Sequence, residues 1–253
     1  MARNLNLLKI DTDEGPLALS NYNVKLEGVT LEKAEVYFRN LDIELRSKIL
    51  RFKSGLIFGS VAWLTSDSIL DALAQCENVQ IIVQKEDFLR PDVNSPKNKE
   101  TWKDKLRSKY SALKCSITRH ECQSPICHLS VLGEDYTVHP VRCLGNHNST
   151  RKYAMPRAHN KFLVFCEFDR KPPKKRTTLK SRLSYKPVAV WTGSFNLTKN
   201  ASMSFENALY IEDRTGNNPI IESYLREHHQ IFALSEPLDW TTGYIEPEYR
   251  IGT

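Results

Sequence analysis

Apolar side chains at Leu31, Ala34, Phe38, Leu41, Leu45 and Ile49 recur every three or four residues, the spacing of one helix face. With Thr30 as N-cap and Glu32 in the first turn, this pattern predicts an amphipathic helix running to about Phe52. Residues 1–30 read as irregular or short-strand chain, broken at Gly15-Pro16 and Gly28. The pattern then changes. Gly55-Leu-Ile-Phe-Gly-Ser-Val-Ala-Trp63 is apolar at successive positions, as a strand buried on both faces must be. Thr65 or Ser66 caps a helix carrying Ile69, Leu70 and Leu73, and Val79-Gln-Ile-Ile-Val83 predicts a second buried strand. Strand, helix and strand in this compass form a βαβ unit, whose two strands normally pair in parallel.

Residues 85–100 read as a polar surface loop, and Trp102, Leu106, Tyr110 and Leu113 as a second amphipathic helix. Cys115–Thr118, Ile126–Val131 and Tyr136–Leu144 are short strand candidates. Phe162–Phe165, Val188–Trp191 and Ala208–Ile211 are more strongly apolar. Asn218-Pro219 opens a final helix with Ile220, Ile221, Tyr224, Leu225, His228, Ile231 and Phe232 on one face. The expected fold is α/β: a mixed, largely parallel central sheet flanked by helices. One domain over residues 1–253 accounts for it, with 1–50 as an N-terminal extension and helix and 51–253 as the core.

Chemistry concentrates in three places. In Pro156-Arg-Ala-His159-Asn-Lys161-Phe-Leu-Val-Phe165, His159 and Lys161 stand two apart at the mouth of a strand, so alternation puts them on one face. An imidazole beside a fixed cation suits attack on a phosphodiester. The ammonium attracts the phosphoryl oxygens, and the imidazole attacks phosphorus or moves a proton. In Val190-Trp-Thr-Gly193-Ser194-Phe-Asn196-Leu-Thr198, a buried strand ends in Gly-Ser-x-Asn. Ser194 and Asn196 can supply hydrogen bonds to developing charge, though both residue types also serve as plain turn formers. In Phe205-Glu206-Asn207-Ala-Leu-Tyr210, Glu206 opens a further strand. Its carboxylate either holds the Nδ1–H of His159, as the orienting acid of a triad does, or is a surface ion-pair partner.

Taken together and in this order, the three segments resemble the phospholipase D superfamily, whose signature is His-x-Lys, then Gly-Ser-x-Asn on the next core strand, then a glutamate opening the strand after it. The likeness covers most of the chain from about residue 50. It implies a metal-independent phosphodiesterase with no cofactor. One histidine attacks phosphorus to give a phosphohistidine; a second protonates the leaving oxygen and then activates water. The chain holds one His-x-Lys motif. Single-motif members resemble symmetric homodimers with the site on the two-fold axis, so His159 is expected to share its site with His159 of a second copy. The superfamily pattern also places an aspartate five residues after the lysine, where this chain has Cys166, with Glu167 and Asp169 nearby.

The choice of phosphodiester rests on charge. Formal net charge is +6 at pH 7. From Arg170 to Phe205 there is no acid, while Arg170, Lys171, Lys174, Lys175, Arg176, Lys180, Arg182, Lys186 and Lys199 are basic. Such runs are usually solvated faces. Lying between the two catalytic strands, the 170–186 segment is expected to emerge beside the site and to bind a polyanion by its backbone. These residues, with Arg157, make nucleic acid, DNA or RNA, the expected substrate and the chain an endonuclease. A phospholipase would need an exposed apolar or amphipathic surface, which the sequence does not display, so no membrane partner is expected. A third possibility is a nucleic-acid-binding dimer without activity, motivated by Cys166.

Composition fits an ordinary globular chain, 40% hydrophobic and 26% charged. The N-terminus has no apolar core region, so a cytoplasmic location with free thiols is expected. Cys115, His120, Cys122, Cys127, His128, His139, Cys143 and His147 lack the tight Cys-x₂-Cys pairs of zinc sites and read as buried thiols and isolated histidines; a structural zinc is the lesser alternative.

Overall fold

The computed structural model describes residues 4–11, 15–20, 31–86, 89, 102–115, 117–119, 129–131, 139–147, 156–168 and 185–239. In chain order the strands and helices are β1 (Lys9–Ile10), β2 (Leu17–Ala18), β3 (Lys33–Tyr37), α1 (Leu41–Arg51), β4 (Leu56–Val61), α2 (Asp67–Leu73), β5 (Asn78–Gln84), α3 (Trp102–Ser111), β6 (Ile117–Arg119), β7 (Leu129–Val131), β8 (Val141–Leu144), β9 (Lys161–Phe168), β10 (Tyr185–Gly193), α4 (Lys199–Ser202), β11 (Ala208–Glu212) and α5 (Pro219–Ala233).

Seven strands form the central sheet in the order β3-β11-β10-β9-β4-β5-β8. The βαβ unit is as the sequence predicts, with β4 parallel to β5 through α2. β8 continues this parallel half. The sheet is mixed, but the expectation that it is largely parallel is corrected: β9 runs antiparallel to β4, and β10, β11 and β3 each run antiparallel to their neighbours. The reason lies in the connections. No helix recrosses the sheet between β10 and β11, so the chain turns back on itself and must pair antiparallel.

The helix expected from Leu31 to Phe52 is likewise corrected. Lys33–Tyr37 is an edge strand paired with β11, with Tyr37 opposite Ala208, and Asn40 in the left-handed region (φ 56°) separates it from α1. Leu31, Ala34 and Phe38 fall on a helical period, yet Lys-Ala-Glu-Val-Tyr also alternates polar and apolar, and tertiary pairing decides. Tyr37 stacks on Trp191 of β10 at 5.3 Å, while Lys48 of α1 reaches back to Glu35 at 2.6 Å.

Alternation along the strands loads both faces. Ile57, Val79, Ile81, Leu163 and Phe165 pack under α1, α2 and α3; Leu56, Phe58, Ile82, Val164 and Val190 pack under α5. α5 starts as its sequence predicts, Asn218 Oδ1 accepting from the amides of Ile220 and Ile221 ahead of Pro219 at the first turn. Among the described residues, no helix is long and apolar enough to cross a membrane.

Candidate active site

Four segments meet at one end of the sheet. β4 ends there at Val61, β9 begins at Lys161, β10 ends at Gly193 and β11 begins at Ala208; Val61 pairs with Lys161 and Gly193 with Ala208. The three motif segments therefore converge, although they lie far apart in sequence.

His159 precedes β9 and is exposed. Lys161 Nζ lies 3.0 Å from its Nδ1 and 3.2 Å from its Nε2, and donates to its carbonyl oxygen at 2.9 Å. The side-by-side placement expected from strand alternation is present. Desolvation, then the positive charges of Lys161 and Arg157, lower the His159 pKa below the usual 6.5. That direction favours the neutral imidazole, whose unprotonated nitrogen can act as a nucleophile or a base. Desolvation also lowers the Lys161 pKa, opposed by the charge of Glu206.

Ser194 Oγ donates to the Glu206 carboxylate and accepts from the Asn207 amide at 3.0 Å. Gly193 makes this possible. A Cβ there would overlap the Asn207 carbonyl oxygen and lie 2.8 Å from the Ala208 Cα, so only glycine lets the end of β10 approach the start of β11 so closely. Two roles stand open for Glu206 from the sequence, holding Nδ1–H of His159 or acting as a surface ion-pair partner. Within this chain its carboxylate instead binds Ser194, and the group against the imidazole nitrogens is the Lys161 ammonium. The hairpin geometry explains it, since Ser194 and Glu206 face each other across the turn. Asn196 Oδ1 is buried and makes no hydrogen bond among the described residues, leaving a polar atom of this motif uncommitted.

The segment carrying His159 is pinned on both sides. Asn146 Nδ2 donates to the Pro156 carbonyl at 3.0 Å, the Ala158 amide donates to Gln84 Oε1 at 2.7 Å, and the Ala62 amide donates to the Asn160 carbonyl at 2.9 Å. Trp63 meets the imidazole edge-to-face at 6.4 Å. Its Nε1 donates to Glu86 at 3.1 Å, and the same carboxylate oxygen pairs with Arg157 at 2.6 Å. Arg157, expected as a phosphate contact, is thus tied beside His159 with 41% of its side chain exposed. Sequence reasoning missed Trp63, Gln84, Glu86 and Asn146. The available signal was Gln84 itself, a polar residue ending an apolar strand, because a buried carboxamide requires partners.

Cys166, at the superfamily's aspartate position, is fully buried among Leu56, Phe58 and Val164. It stands an odd number of residues from Lys161, so it faces the α5 side while Lys161 faces the other. Glu167 pairs with Arg214 at 2.5 Å. Neither touches the reacting groups.

The basic segment requires a correction. Residues 169–184, including Arg170, Lys171, Lys174, Lys175, Arg176, Lys180 and Arg182, lie outside the described residues. Their anchors do not. The chain leaves β9 at Phe168 and returns at Tyr185, which pair with each other, while His159 and Ser194 lie at the other end of the hairpin. Seven strand residues separate the ends, roughly 23 Å. A segment joining two neighbouring antiparallel strands starts where the first one ends, which is here the end remote from the site. Lys199, by contrast, is exposed at the start of α4, directly after the Asn196 turn, and Lys186 donates to the Arg214 carbonyl at 2.8 Å.

The expected lack of exposed apolar surface is also corrected: Phe205, Met203 and Phe38 are exposed next to the site. Isolated between serines and Glu206, Met203 and Phe205 give no periodic signal in the sequence. Of the candidate zinc ligands, His120, Cys122, Cys127 and His128 lie outside the described residues. The described cysteines 76, 115, 143 and 166 are not joined in disulfides.

This α/β chain brings His-x-Lys, Gly-Ser-x-Asn and a following glutamate to one end of its sheet, an arrangement that resembles the phospholipase D superfamily. It belongs to the same family as an uncharacterised protein of Acanthamoeba polyphaga mimivirus, to which it is 33% identical over 235 residues, spanning 88% of this chain and 72% of the viral protein. No protein-family profile matches the chain. Among solved structures it is similar to Nuc, a phospholipase D family member from Salmonella typhimurium, at 16% identity and a TM-score of 0.42, covering 81% of this chain and 96% of Nuc. It is also similar to NucT from Helicobacter pylori, at 15% identity and a TM-score of 0.46, covering 81% of this chain and 98% of NucT. Likeness at that level leaves the chemistry to be argued from this chain's own residues.

Proposed function

We propose that this chain is a metal-independent phosphodiesterase acting on nucleic acid, an endonuclease that cuts the backbone through a phosphohistidine. One observation carries the reading: Lys161 lies against the imidazole of His159 at the strand mouth where Ser194 and Glu206 also arrive. The neutral His159 attacks phosphorus, an N–P bond forms and the P–O bond to the leaving oxygen breaks. The Lys161 ammonium and the Asn196 carboxamide take the charge gathering on the non-bridging oxygens. Glu206 fixes Ser194 and supports the charged form of Lys161. The leaving oxygen takes a proton from a second histidine in its imidazolium form, and the neutral imidazole left behind takes a proton from the water that attacks phosphorus and releases His159. A second copy of this chain would supply that imidazole, which makes the active form a C₂ dimer.

The test is incubation with plasmid, single-stranded DNA and RNA in EDTA, beside His159→Ala. Cleavage by the wild type alone that survives EDTA supports the reading. Loss of cleavage in EDTA removes the metal-free mechanism, and binding without cleavage leaves a nucleic-acid-binding protein. A monomer in sedimentation at micromolar concentration removes the shared site. A phospholipase-type reading has one observation in its favour, the exposed Met203 and Phe205, and head-group release from vesicles decides it.

A further inference from the structure

An aromatic ring stands open beside this site. Phe205, immediately before Glu206, is 89% exposed, and the Arg39 guanidinium lies over it, 4.9 Å from the ring centroid. Its backbone is held from both sides. Before it, the amides of Met203 and Ser204 donate to the carbonyls of Asn200 and Ala201, and Ser204 Oγ donates to the Asn200 carbonyl at 2.9 Å. After it, Glu206 is fixed by Ser194. The ring is therefore presented by the fold at a set place. Lys161 and Ala208 are two strands apart, roughly 10 Å, and three residues from Ala208 back to Phe205 add at most about 10 Å. The sum, roughly 20 Å at most, is a span that a few nucleotides of an extended strand cover.

We propose that Phe205, with Arg39 beside it, is a stacking platform for an unpaired base of the substrate strand, and that it gives this site a preference for single-stranded nucleic acid. The inference rests on the nuclease reading above and adds the form of the substrate. An exposed ring accepts the face of any base, and a neighbouring guanidinium adds cation–π attraction and a phosphate contact. A base inside a duplex has both faces stacked and must be drawn out before it can use the ring. The pairing of one apolar ring with one cation matches a nucleotide, which offers one base and one phosphate. With 4 residues, α4 cannot present the separate apolar and charged faces of an interfacial helix.

The experiment compares wild type, Phe205→Ala and Phe205→Trp on single-stranded and duplex oligonucleotides of one sequence, measuring kcat and KM, with binding measured in the His159→Ala background. Phe205→Ala is expected to lower single-strand affinity, relative to duplex affinity, by about tenfold, seen mainly in KM, and Phe205→Trp to restore it. A wild type that cleaves nucleic acid while Phe205→Ala loses nothing on single strands, or loses equally on both forms, overturns the platform and leaves the nuclease reading intact. Loss of binding to phosphatidylglycerol vesicles in place of oligonucleotides assigns the ring to a membrane, and conversion of a dimer to a monomer assigns it to a second copy; either overturns the proposal. A wild type that neither binds nor cleaves nucleic acid overturns the underlying reading with it.

Discussion

Ser194 and Glu206 are joined across the turn between β10 and β11, the hydroxyl donating to the carboxylate and accepting from the amide of Asn207. The two side chains form one unit, so their removal should not be additive. Ser194→Ala is expected to lower kcat/KM on an oligonucleotide by about 10²-fold, Glu206→Gln by a comparable factor, and the double variant by little more than either. Losses that multiply would show two independent roles.

The rate should follow the neutral form of His159. Desolvation, Lys161 and Arg157 together lower its pKa, so the acid limb of kcat/KM against pH is expected below 6.5. The sign is fixed by charge: each neighbouring cation disfavours the imidazolium. Arg157→Gln removes one of them, so its acid limb should move to higher pH. A limb that moves lower, or stays put, shows that Arg157 does not act on His159 through charge.

Cys166 should matter for stability and not for chemistry. Its thiol is enclosed by Leu56, Phe58 and Val164, on the face of β9 away from Lys161. Cys166→Ala is expected to cost about 1 kcal/mol in urea unfolding, as a small cavity does, with kcat/KM within about twofold of wild type. A collapse of activity in a folded Cys166→Ala protein would tie the thiol to catalysis.

His228 makes stability depend on pH. It is fully buried, with its ring 4.7 Å from that of Phe58 and beside His229, and burial first, then His229, lower its pKa well below 6.5. Below about pH 6.5 the unfolded chain binds a proton that the folded chain refuses, so stability falls with falling pH, by at most about 1.4 kcal/mol per pH unit. Urea midpoints between pH 7 and 5 measure this. His228→Phe should flatten the slope, and an unchanged slope would place its origin elsewhere.

Much of this arrangement was legible in the sequence. The buried strands β4, β5, β9 and β10 are apolar on successive positions, and the three motifs sit where such runs begin or end. The start of α5 was visible because Asn218-Pro219 is a local signal. What failed was non-local. The segment at Lys33–Tyr37 fits two periods, and only its pairing with β11 chooses the strand. Strand direction at β9 depends on a connection that carries no periodic mark. Gln84 lies 74 positions from Ala158 and 62 from Asn146, which in turn lies 10 from Pro156, and no local pattern encodes these links to the His159 segment.

The β9–β10 hairpin acts as a spacer bar. Its site end carries His159 and Ser194, and its remote end carries the stems of the basic segment. If the chain is the phosphodiesterase proposed above, a ligand reaching from the reaction centre to the far end of this ladder must span roughly 23 Å, so the length of the substrate becomes a variable that the hairpin sets.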